Sequence, residues 1–167
     1  NSGVKTKVFC FPQPIDITYG KRIMEPFLIP GFSGFTFYSI FQWIDRKNPH
    51  DLITTFWKTF EGKNDVCLVI KTYGVNYSES QFEVINNQIK EWKHQMNLSH
   101  YPKVFLYKKL MDTQSVFRLH KTGNCYVCTS CGEGWGIPMA EAMLMGKPVI
   151  GIDKTGIFDI LPKDAYL

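Results

Sequence analysis

The chain has no long apolar stretch, either within it or near its start. It contains no run of about 18 apolar residues, the length that a helix needs to cross a bilayer. The first residues, Asn1-Ser-Gly-Val-Lys5, lack the apolar segment of a secretory signal peptide. The sequence therefore predicts no transmembrane segment and a cytoplasmic location.

Positive charge is not concentrated in any one part of the chain. The formal net charge is +4, and the lysines are spread along the sequence. A nucleic-acid-binding face gathers Lys and Arg in a patch or stripe, so the sequence predicts no nucleic acid partner. A mildly basic chain of this kind suits a site for a small anionic molecule.

Cysteines are few and odd in number. Five cysteines without a secretory signal indicate reduced thiols in a cytosolic protein. Cys125, Cys128 and Cys131 have the spacing of part of an iron–sulfur motif, but the next cysteine of that motif is missing. Cys125 and Cys128 also fall at an odd offset in a predicted strand, which points them to opposite faces. We interpret them as buried small residues, with a metal site as the less favoured alternative.

The histidines form no recognisable site either. They are scattered over different predicted elements, and none is paired with a cysteine, a serine or a carboxylate in a recognisable pattern. We interpret all of them as ordinary structural or surface residues. They are His50, His94, His100 and His120.

The chain does have enough apolar sequence for a full core. With 44% hydrophobic and 20% charged residues, it is predicted to form one compact domain over residues 1–167. Residues 4–11 alternate enough to form an initial strand, and residues 20–34, rich in proline and glycine, predict an irregular connection. Residues 1–34 therefore lead into a core of residues 35–167.

Apolar runs alternate with helical patterns throughout that core. Strands are predicted at residues 35–44, 65–73, 103–107, 125–128 and 148–152, and helices begin near Pro49, Phe82, Asp112 and Ile137. The alternation indicates an α/β fold with a doubly wound, mainly parallel sheet and helices on both faces. Such sheets bind ligands at the carboxyl ends of their strands, where residues 42–48, 71–74 and 130–136 are expected to meet.

Residues 125–150 are the strongest candidate for a site. Three glycines separate an apolar strand from a helix opened by Pro138, which predicts a cradle of open backbone N–H groups for an anion. Glu133 and Glu141 bracket this cradle, with seven residues between them. Carboxylates accept hydrogen bonds from hydroxyl groups, so the pair indicates a ligand that carries a sugar as well as a phosphate.

One string of this stretch resembles a known family signature. It reads Glu133-Gly-Trp-Gly-Ile-Pro-Met-Ala-Glu141 and continues to Gly146-Lys-Pro-Val-Ile150. It resembles the E-x7-E signature of family-4-like retaining GT-B glycosyltransferases, which belong to the glycogen-synthase-like group 1 superfamily. The resemblance implies the Rossmann-like, donor-binding half of a GT-B fold. It also implies transfer of a hexose from a nucleotide-diphosphate sugar to an unknown acceptor, with retention at the anomeric carbon. It covers nearly all of the chain but only about half of a complete enzyme.

The same resemblance implies what the chain needs and what it does without. An N-terminal acceptor domain and the C-terminal helices are expected to be absent, so the isolated domain should be inactive. The absent domain would bind the acceptor, which is a saccharide, a lipid or a protein, and could hold the enzyme at a membrane surface. Positive groups beside the diphosphate replace a metal ion, so no metal and no cofactor is expected.

The family pattern assigns roles to residues of this chain. The second glutamate, here Glu141, holds the nucleotide ribose, and the first, Glu133, lies by the donor sugar at the reacting face. A G-R-x4-K-G/N pattern clamps the diphosphate; Lys47 matches its lysine, whereas Gln42 stands in the arginine position and brings no charge. Arg46 is the candidate that would compensate. Glu133 and Lys47 are therefore the predicted catalytic residues.

The remaining predicted donor-binding residues lie in the glycine turn and at a strand end. The backbone N–H groups of Gly134, Gly136 and Ile137 are expected to bind the diphosphate. Lys71 ends a predicted buried strand, where it either reaches the donor or snorkels into water. Trp135 either lies over the base or sugar or packs against the turn. Residues 107–110 resemble the segment whose backbone borders the base.

A second hypothesis stays open. The chain would then be a non-catalytic nucleotide- or sugar-binding module on the same fold, which Gln42 in place of arginine favours. Each site residue also has an alternative of its own: Lys47 in a solvated basic turn, Glu133 as a helix-terminus acid favoured by the dipole alone, and Glu141 as an exposed helix glutamate.

Overall fold

The computed structural model describes residues 3, 5–9, 11, 13–74, 77–153 and 156. The described residues before residue 35 are irregular apart from one short helix, α1 (Thr18–Lys21). The described residues of the segment 4–11 form no strand, contrary to prediction, and residues 4 and 10 lie outside the described part. Val8, Phe9 and Phe11 are 76%, 62% and 82% exposed. Their alternation therefore has no neighbouring surface against which a strand would be stable.

Five parallel strands form one sheet in the described part of the chain, in the order β3-β2-β1-β4-β5. The strands are β1 (Phe35–Gln42), β2 (Val66–Tyr73), β3 (Lys103–Tyr107), β4 (Cys125–Cys128) and β5 (Val149–Gly151). The helices between them are α2 (Pro49–Thr59), α3 (Glu79–Met96), α4 (Thr113–Thr122) and α5 (Ile137–Leu144). The predicted doubly wound parallel sheet is confirmed. Residues 75, 76, 154, 155 and 157–167 of the predicted core lie outside the described residues.

Each face of the sheet has its own apolar cluster. Adjacent residues of β2 point to opposite faces, so Leu68 and Ile70 pack with α2 and α3, whereas Cys67 and Val69 pack with α4 and α5. Val69, Leu68 and Ile70 are at most 1% exposed, which makes β2 the most deeply buried strand of the core. The chain therefore crosses from one face to the other between α3 and α4.

The helices begin where local sequence signals place them. Asn48, at φ 52°, precedes Pro49 and caps α2 with its side chain. Asp112 caps α4 in the same way. Gly136 adopts φ 70° before α5 begins at Ile137, a left-handed conformation that a side chain would disfavour. The predicted helix starts near Pro49, Asp112 and Ile137 are therefore found.

The pairing of β1 differs between its two neighbours. With β2 it pairs along its whole length, through eight residue pairs. With β4 it pairs only at Phe37↔Cys125 and Tyr38↔Tyr126, although both strands continue. The order of the strands reverses between β1 and β4, so this unpaired end is the topological switch point of the sheet, where ligands of such folds bind.

Side chains replace the missing backbone bonds at this switch point. The Tyr126 hydroxyl donates to the Ile40 carbonyl at 3.1 Å and accepts from the Ile40 N–H at 3.3 Å. The Ser39 hydroxyl donates to the Val127 carbonyl at 2.7 Å. These bonds satisfy buried polar groups while leaving the two strand ends unpaired, which creates a crevice between them.

Candidate functional site

The loops that follow β1 and β4 are bonded to each other over this crevice. The N–H of Cys131 donates to the Arg46 carbonyl at 2.8 Å. The Ser130 hydroxyl lies 3.2 Å from the same oxygen, and the Thr129 hydroxyl lies 3.1 Å from the Lys47 carbonyl. Backbone atoms more than eighty residues apart in sequence are thereby held in register. The predicted meeting of residues 42–48 with residues 130–136 is found.

Glu133 is bound by two cations from the loop after β1. The Lys47 ammonium donates to Glu133 Oε1, and Arg46 Nη1 lies 3.8 Å from Oε2. Arg46 also donates to the Gly132 carbonyl. The side chains of Lys47 and Glu133 are only 17% and 12% exposed, so their charges are screened less by water than those of a surface pair. The structure thus brings together both predicted catalytic residues and Arg46.

A small cavity lies between the strand ends beneath this ion pair. Its volume is about 20 Å³, room for a single water molecule. It is lined by polar groups of both loops and strands, including Ser39, Lys47, Tyr126, Thr129, Ser130 and Glu133. With Lys47 and Glu133 paired, the crevice is nearly closed.

The glycine turn presents unbonded N–H groups beside Glu133. Within the described residues, the backbone N–H groups of Gly134, Trp135, Gly136 and Ile137 donate to no acceptor. A Cβ built on Gly134 would meet no described atom within 4 Å, although Gly156 lies against the Gly134 carbonyl. Four N–H groups at the start of a helix form an anion-binding arrangement, as the sequence predicts for Gly134, Gly136 and Ile137.

Glu141 is held by a residue that the sequence interpretation missed. Its Oε2 lies 3.4 Å from His120 Nε2, and His120 Nδ1 lies 3.0 Å from the Tyr38 hydroxyl. His120 is fully buried, and the side chain of Glu141 is 17% exposed. The prediction that His120 is paired with no carboxylate is therefore wrong, whereas its interpretation as a structural residue is not contradicted. His120 lies on α4 and Glu141 on α5, so only the helix packing brings them together.

Gln42 does not face the loops that hold Glu133. Its side-chain amide donates to the Gly74 carbonyl at 3.3 Å, across the end of the β1–β2 pair. The structure therefore uses this side chain to satisfy a backbone group of the neighbouring strand. The position that carries an arginine in the family pattern adds no charge to the crevice.

Lys71 is buried in β2 rather than at its end, because the strand continues to Tyr73. It is 5% exposed and lies on the face of the sheet that α4 and α5 cover. Its ammonium lies 5.2 and 5.3 Å from the ring centres of Tyr73 and Tyr77, and no described carboxylate pairs with it. Burial lowers the pKa of Lys71. The ammonium is thus stabilised by aromatic faces rather than by water.

Trp135 is half-buried beside the open turn. Its indole N–H is buried and has no hydrogen-bond acceptor among the described residues. A buried donor without an acceptor is costly, so this N–H lacks a stabilising partner among the described residues.

The cysteines of the C-x2-C-x2-C stretch do not converge. Cys125 is buried, Cys128 half-buried and Cys131 exposed. In the described part of the chain, no three His, Cys, Asp or Glu side chains are grouped so that they could hold a metal ion. Burial raises the pKa of the Cys125 and Cys128 thiols, which disfavours the thiolate that a metal needs.

The helices of the described residues include none that combines the length and the apolar character needed to cross a bilayer.

The model of the family described as "Glycosyl transferases group 1" matches residues 35–165 of the chain. The match covers the whole sheet, both loops of the crevice and α5. The chain belongs to this family, and its resemblance to the carboxyl-terminal domain of a GT-B glycosyltransferase is confirmed. A search of curated protein sequences found no significant match.

Solved structures share the fold. The C-terminal domain of LpcC, a glycosyl transferase group 1 family protein from Francisella tularensis, is 18% identical, with a TM-score of 0.65, and the match covers 90% of this chain and 76% of that one. Anabaena HepE, solved with UDP-glucose, is 16% identical, with a TM-score of 0.56, over 77% of this chain and 32% of that one. The α,α-trehalose-phosphate synthase of Burkholderia xenovorans, solved with glucose-6-phosphate, is 13% identical, with a TM-score of 0.61, over 76% of this chain and 31% of that one. The match therefore spans about a third of each of the two longer proteins.

Proposed function

We propose that this chain is the donor-binding domain of a glycosyltransferase that moves a hexose from a nucleotide-diphosphate sugar to an acceptor with retention at the anomeric carbon. One observation carries the proposal. At the switch point of the sheet, the Lys47–Glu133 ion pair lies beside four N–H groups that have no acceptor among the described residues. Cations and open amides are what a diphosphate requires, and a carboxylate suits the sugar next to it.

The diphosphate would bind the N–H groups of residues 134–137 and exchange partners with Lys47. In the structure, the single negative charge of Glu133 is shared between Lys47 and Arg46. An incoming diphosphate carries more negative charge than one carboxylate and would draw the Lys47 ammonium toward itself. Glu133 would then be released to the donor sugar, where its charge stabilises the positive charge that develops as the glycosidic bond loosens. Lys47 and Arg46 would stabilise the departing nucleoside diphosphate, so we propose a reaction that needs no metal ion.

The nucleoside would extend from the crevice along the carboxyl edge of the sheet. Glu141 accepts hydrogen bonds and would hold the ribose hydroxyls. Beyond it, an open groove of about 390 Å³ is lined by Tyr77, Phe82, Lys108 and Leu110, next to the segment predicted to border the base. Lys71 and the Trp135 N–H face no described carboxylate or acceptor, and we propose both as further donor contacts.

Acceptor binding belongs, in this proposal, to an N-terminal domain of the kind that GT-B enzymes carry. A saccharide, a lipid or a protein would be bound there, in a cytoplasmic enzyme that the same domain could hold at a membrane surface. The chain alone is expected to bind donor weakly and to transfer little sugar, because it has neither the acceptor-binding surface nor the second domain that would exclude water from the site.

Calorimetric titration of the chain with UDP-glucose and GDP-mannose tests the donor site. We expect saturable heat with at least one of them, and a loss of affinity of at least about tenfold in Lys47→Ala and in Glu141→Ala. Lys63→Ala is the matched control, because Lys63 is exposed in the turn after α2. Unchanged affinity in both site variants would remove the donor site from the crevice.

A non-catalytic binding module is the second candidate, and the Gln42 side chain favours it. Its amide is bonded to the Gly74 carbonyl, so the crevice has one cation fewer than the family pattern provides. A protein that joins this chain to an acceptor domain would decide between the two. Donor binding without sugar transfer in that protein would favour the binding module.

A further inference from the structure

Two buried side chains and the partly exposed Glu141 form a continuous hydrogen-bonded chain. Tyr38 on β1 and His120 on α4 are both 0% exposed. The Tyr38 hydroxyl lies 3.0 Å from His120 Nδ1, and His120 Nε2 lies 3.4 Å from Glu141 Oε2. Both ring nitrogens of the buried imidazole therefore have partners, as buried polar groups require. The partner on one side is rigid, and the partner on the other side is the residue proposed to bind ribose.

The chemistry of the three groups fixes where the hydrogens lie. An ionised carboxylate only accepts hydrogen bonds, so His120 Nε2 must donate to Glu141. In the neutral imidazole, Nδ1 then accepts from the Tyr38 hydroxyl. Burial raises the pKa of Tyr38 well above its ordinary value, so this hydroxyl keeps its hydrogen. Tyr38 thereby selects the tautomer of His120 that donates to Glu141.

Aromatic packing fixes the orientation of the imidazole as well. The ring centres of Tyr38, Phe117 and Tyr126 lie 5.5, 5.7 and 6.2 Å from that of His120. Phe117 and Tyr126 are 1% and 2% exposed, so they leave the imidazole little room to turn. The His120 N–H is thus a fixed donor at a fixed place under α5.

We propose that His120 is a positioning residue of the donor site, which holds the Glu141 carboxylate so that Oε1 faces the ribose hydroxyls of a nucleoside diphosphate. The proposal rests on the function proposed above. No described lysine or arginine pairs with Glu141, so the bond from His120 is the contact that restrains its carboxylate. A restrained carboxylate loses less conformational freedom when the ribose binds.

The consequence is specific to the ribose. His120 should affect only the part of the affinity that depends on ribose hydroxyls, whereas a general structural role would weaken all nucleotides alike. The probe is the ratio of the dissociation constants of 2′-deoxy-UDP and UDP, or of 2′-deoxy-GDP and GDP if the wild type prefers guanine. In the wild type, we expect the 2′-deoxy nucleotide to bind about tenfold or more weakly than the ribonucleotide, because it lacks the 2′-hydroxyl that donates a hydrogen bond to the carboxylate.

Four variants of the chain separate the possibilities. Glu141→Ala should lower the ratio to about one, and His120→Leu should lower it to about twofold. His120→Gln should restore most of the ratio, because its amide can donate from near the Nε2 position. Phe117→Leu is the structural control: it loosens the packing around His120 but removes no hydrogen bond, so stability should fall while the ratio stays.

Each outcome decides something. A wild-type ratio retained in His120→Leu but lost in Glu141→Ala would overturn the role of His120 and leave the proposed function intact. If the wild type binds neither UDP nor GDP, the proposed function and this inference are both overturned. If circular dichroism shows that His120→Leu is unfolded, His120→Asn replaces it, since its amide reaches only the Nδ1 position. Equal ratios in His120→Gln and His120→Asn would then contradict the proposal.

Discussion

The two neighbours of β1 are joined to it by different kinds of bond. On the β2 side, a continuous parallel ladder runs along the whole strand, and the apolar residues of both strands divide cleanly between two clusters. On the β4 side, the ladder stops after Tyr38↔Tyr126, and hydroxyl groups of Ser39 and Tyr126 take over. The first arrangement makes a core, and the second leaves a crevice at the carboxyl end of the sheet.

At the other end of the β1–β4 pair, opposite the crevice, two hydrogen bonds join the strands. At the amino end of β4, the Asn124 N–H donates to the Thr36 carbonyl, and the Thr36 N–H donates back to the Asn124 side chain, both at 2.8 Å. Gly123 lies against the ring of Tyr38 at this end. The two strands are thus fastened at one end and held apart at the other, which keeps the crevice in one shape.

The largest effect is expected where the fastened end is disturbed. In Gly123→Ala, the new Cβ would lie 2.1 Å from Cδ1 of Tyr38, whose ring is 0% exposed and has nowhere to move. We expect a loss of about 3 kcal/mol in the free energy of unfolding, measured by urea denaturation. The control is Gly134→Ala at the other end, where the Cβ meets no described atom within 4 Å and the change should stay within about 0.5 kcal/mol. Similar losses in both variants would mean that the two ends do not differ.

The sequence predicts these two sides of β1 unequally well. On the β2 side, apolar periodicity and capping residues such as Asp112 are local signals, so the strands and helices follow from short windows of sequence. On the β4 side, the acids of the E-x7-E string and Lys47 are visible in the sequence, but the contacts between them, and His120 as the partner of Glu141, are not. Lys47 meets Glu133 across 86 residues, and His120 meets Glu141 from another helix.

The predictions that failed have the same physical origin. The alternation of residues 4–11 resembles a strand, yet a strand also needs a neighbour, and no local pattern shows whether one exists. The role of Gln42 in donor binding stays a prediction, but its bond to the Gly74 carbonyl, just after β2, is a contact that no local pattern shows. Local patterns therefore predict which elements form, and tertiary packing decides which polar groups meet.

A middle-sized effect is expected where hydroxyl groups replace the ladder. Tyr126→Phe removes the oxygen that bonds both the N–H and the C=O of Ile40. Leaving buried backbone groups without partners should cost about 2 kcal/mol of unfolding free energy and lower the affinity for UDP, as the crevice loses its shape. Both quantities are measurable, by urea denaturation and by calorimetry.

Thr72→Val on the β2 side is the matched control for Tyr126→Phe. The Thr72 hydroxyl is buried and has no partner in the described part of the chain, so its removal breaks no bond there. Val has nearly the same shape and should leave stability unchanged or raise it slightly. A cost for Thr72→Val equal to that of Tyr126→Phe would contradict the view that hydroxyl bonds matter only on the β4 side.

The smallest effect is expected at Lys71 of β2, the one Lys, Arg, Asp or Glu that is buried among the described residues. Burial lowers the pKa of this lysine from 10.5, so the unfolded chain binds the proton more tightly than the folded chain does. The cost of the buried charge is therefore present below the folded pKa and disappears as the pH rises past 10.5. Lys71→Met should accordingly stabilise the fold at pH 7, by less than about 1 kcal/mol because Tyr73 and Tyr77 offset part of the cost.

The same variant shows whether the β2 side contributes to the site or only to the core. If Lys71 reaches the donor, Lys71→Met should lower the affinity for UDP-glucose while raising stability, and Lys58→Met, exposed on α2, should change neither. Denaturation at pH 7 and at pH 10 should show the stability gain shrinking toward the higher pH. A gain in stability with no loss of affinity would assign the ligand to the β1–β4 side alone. A loss of stability at pH 7 would mean that the two tyrosine rings more than offset the cost of burying the ammonium.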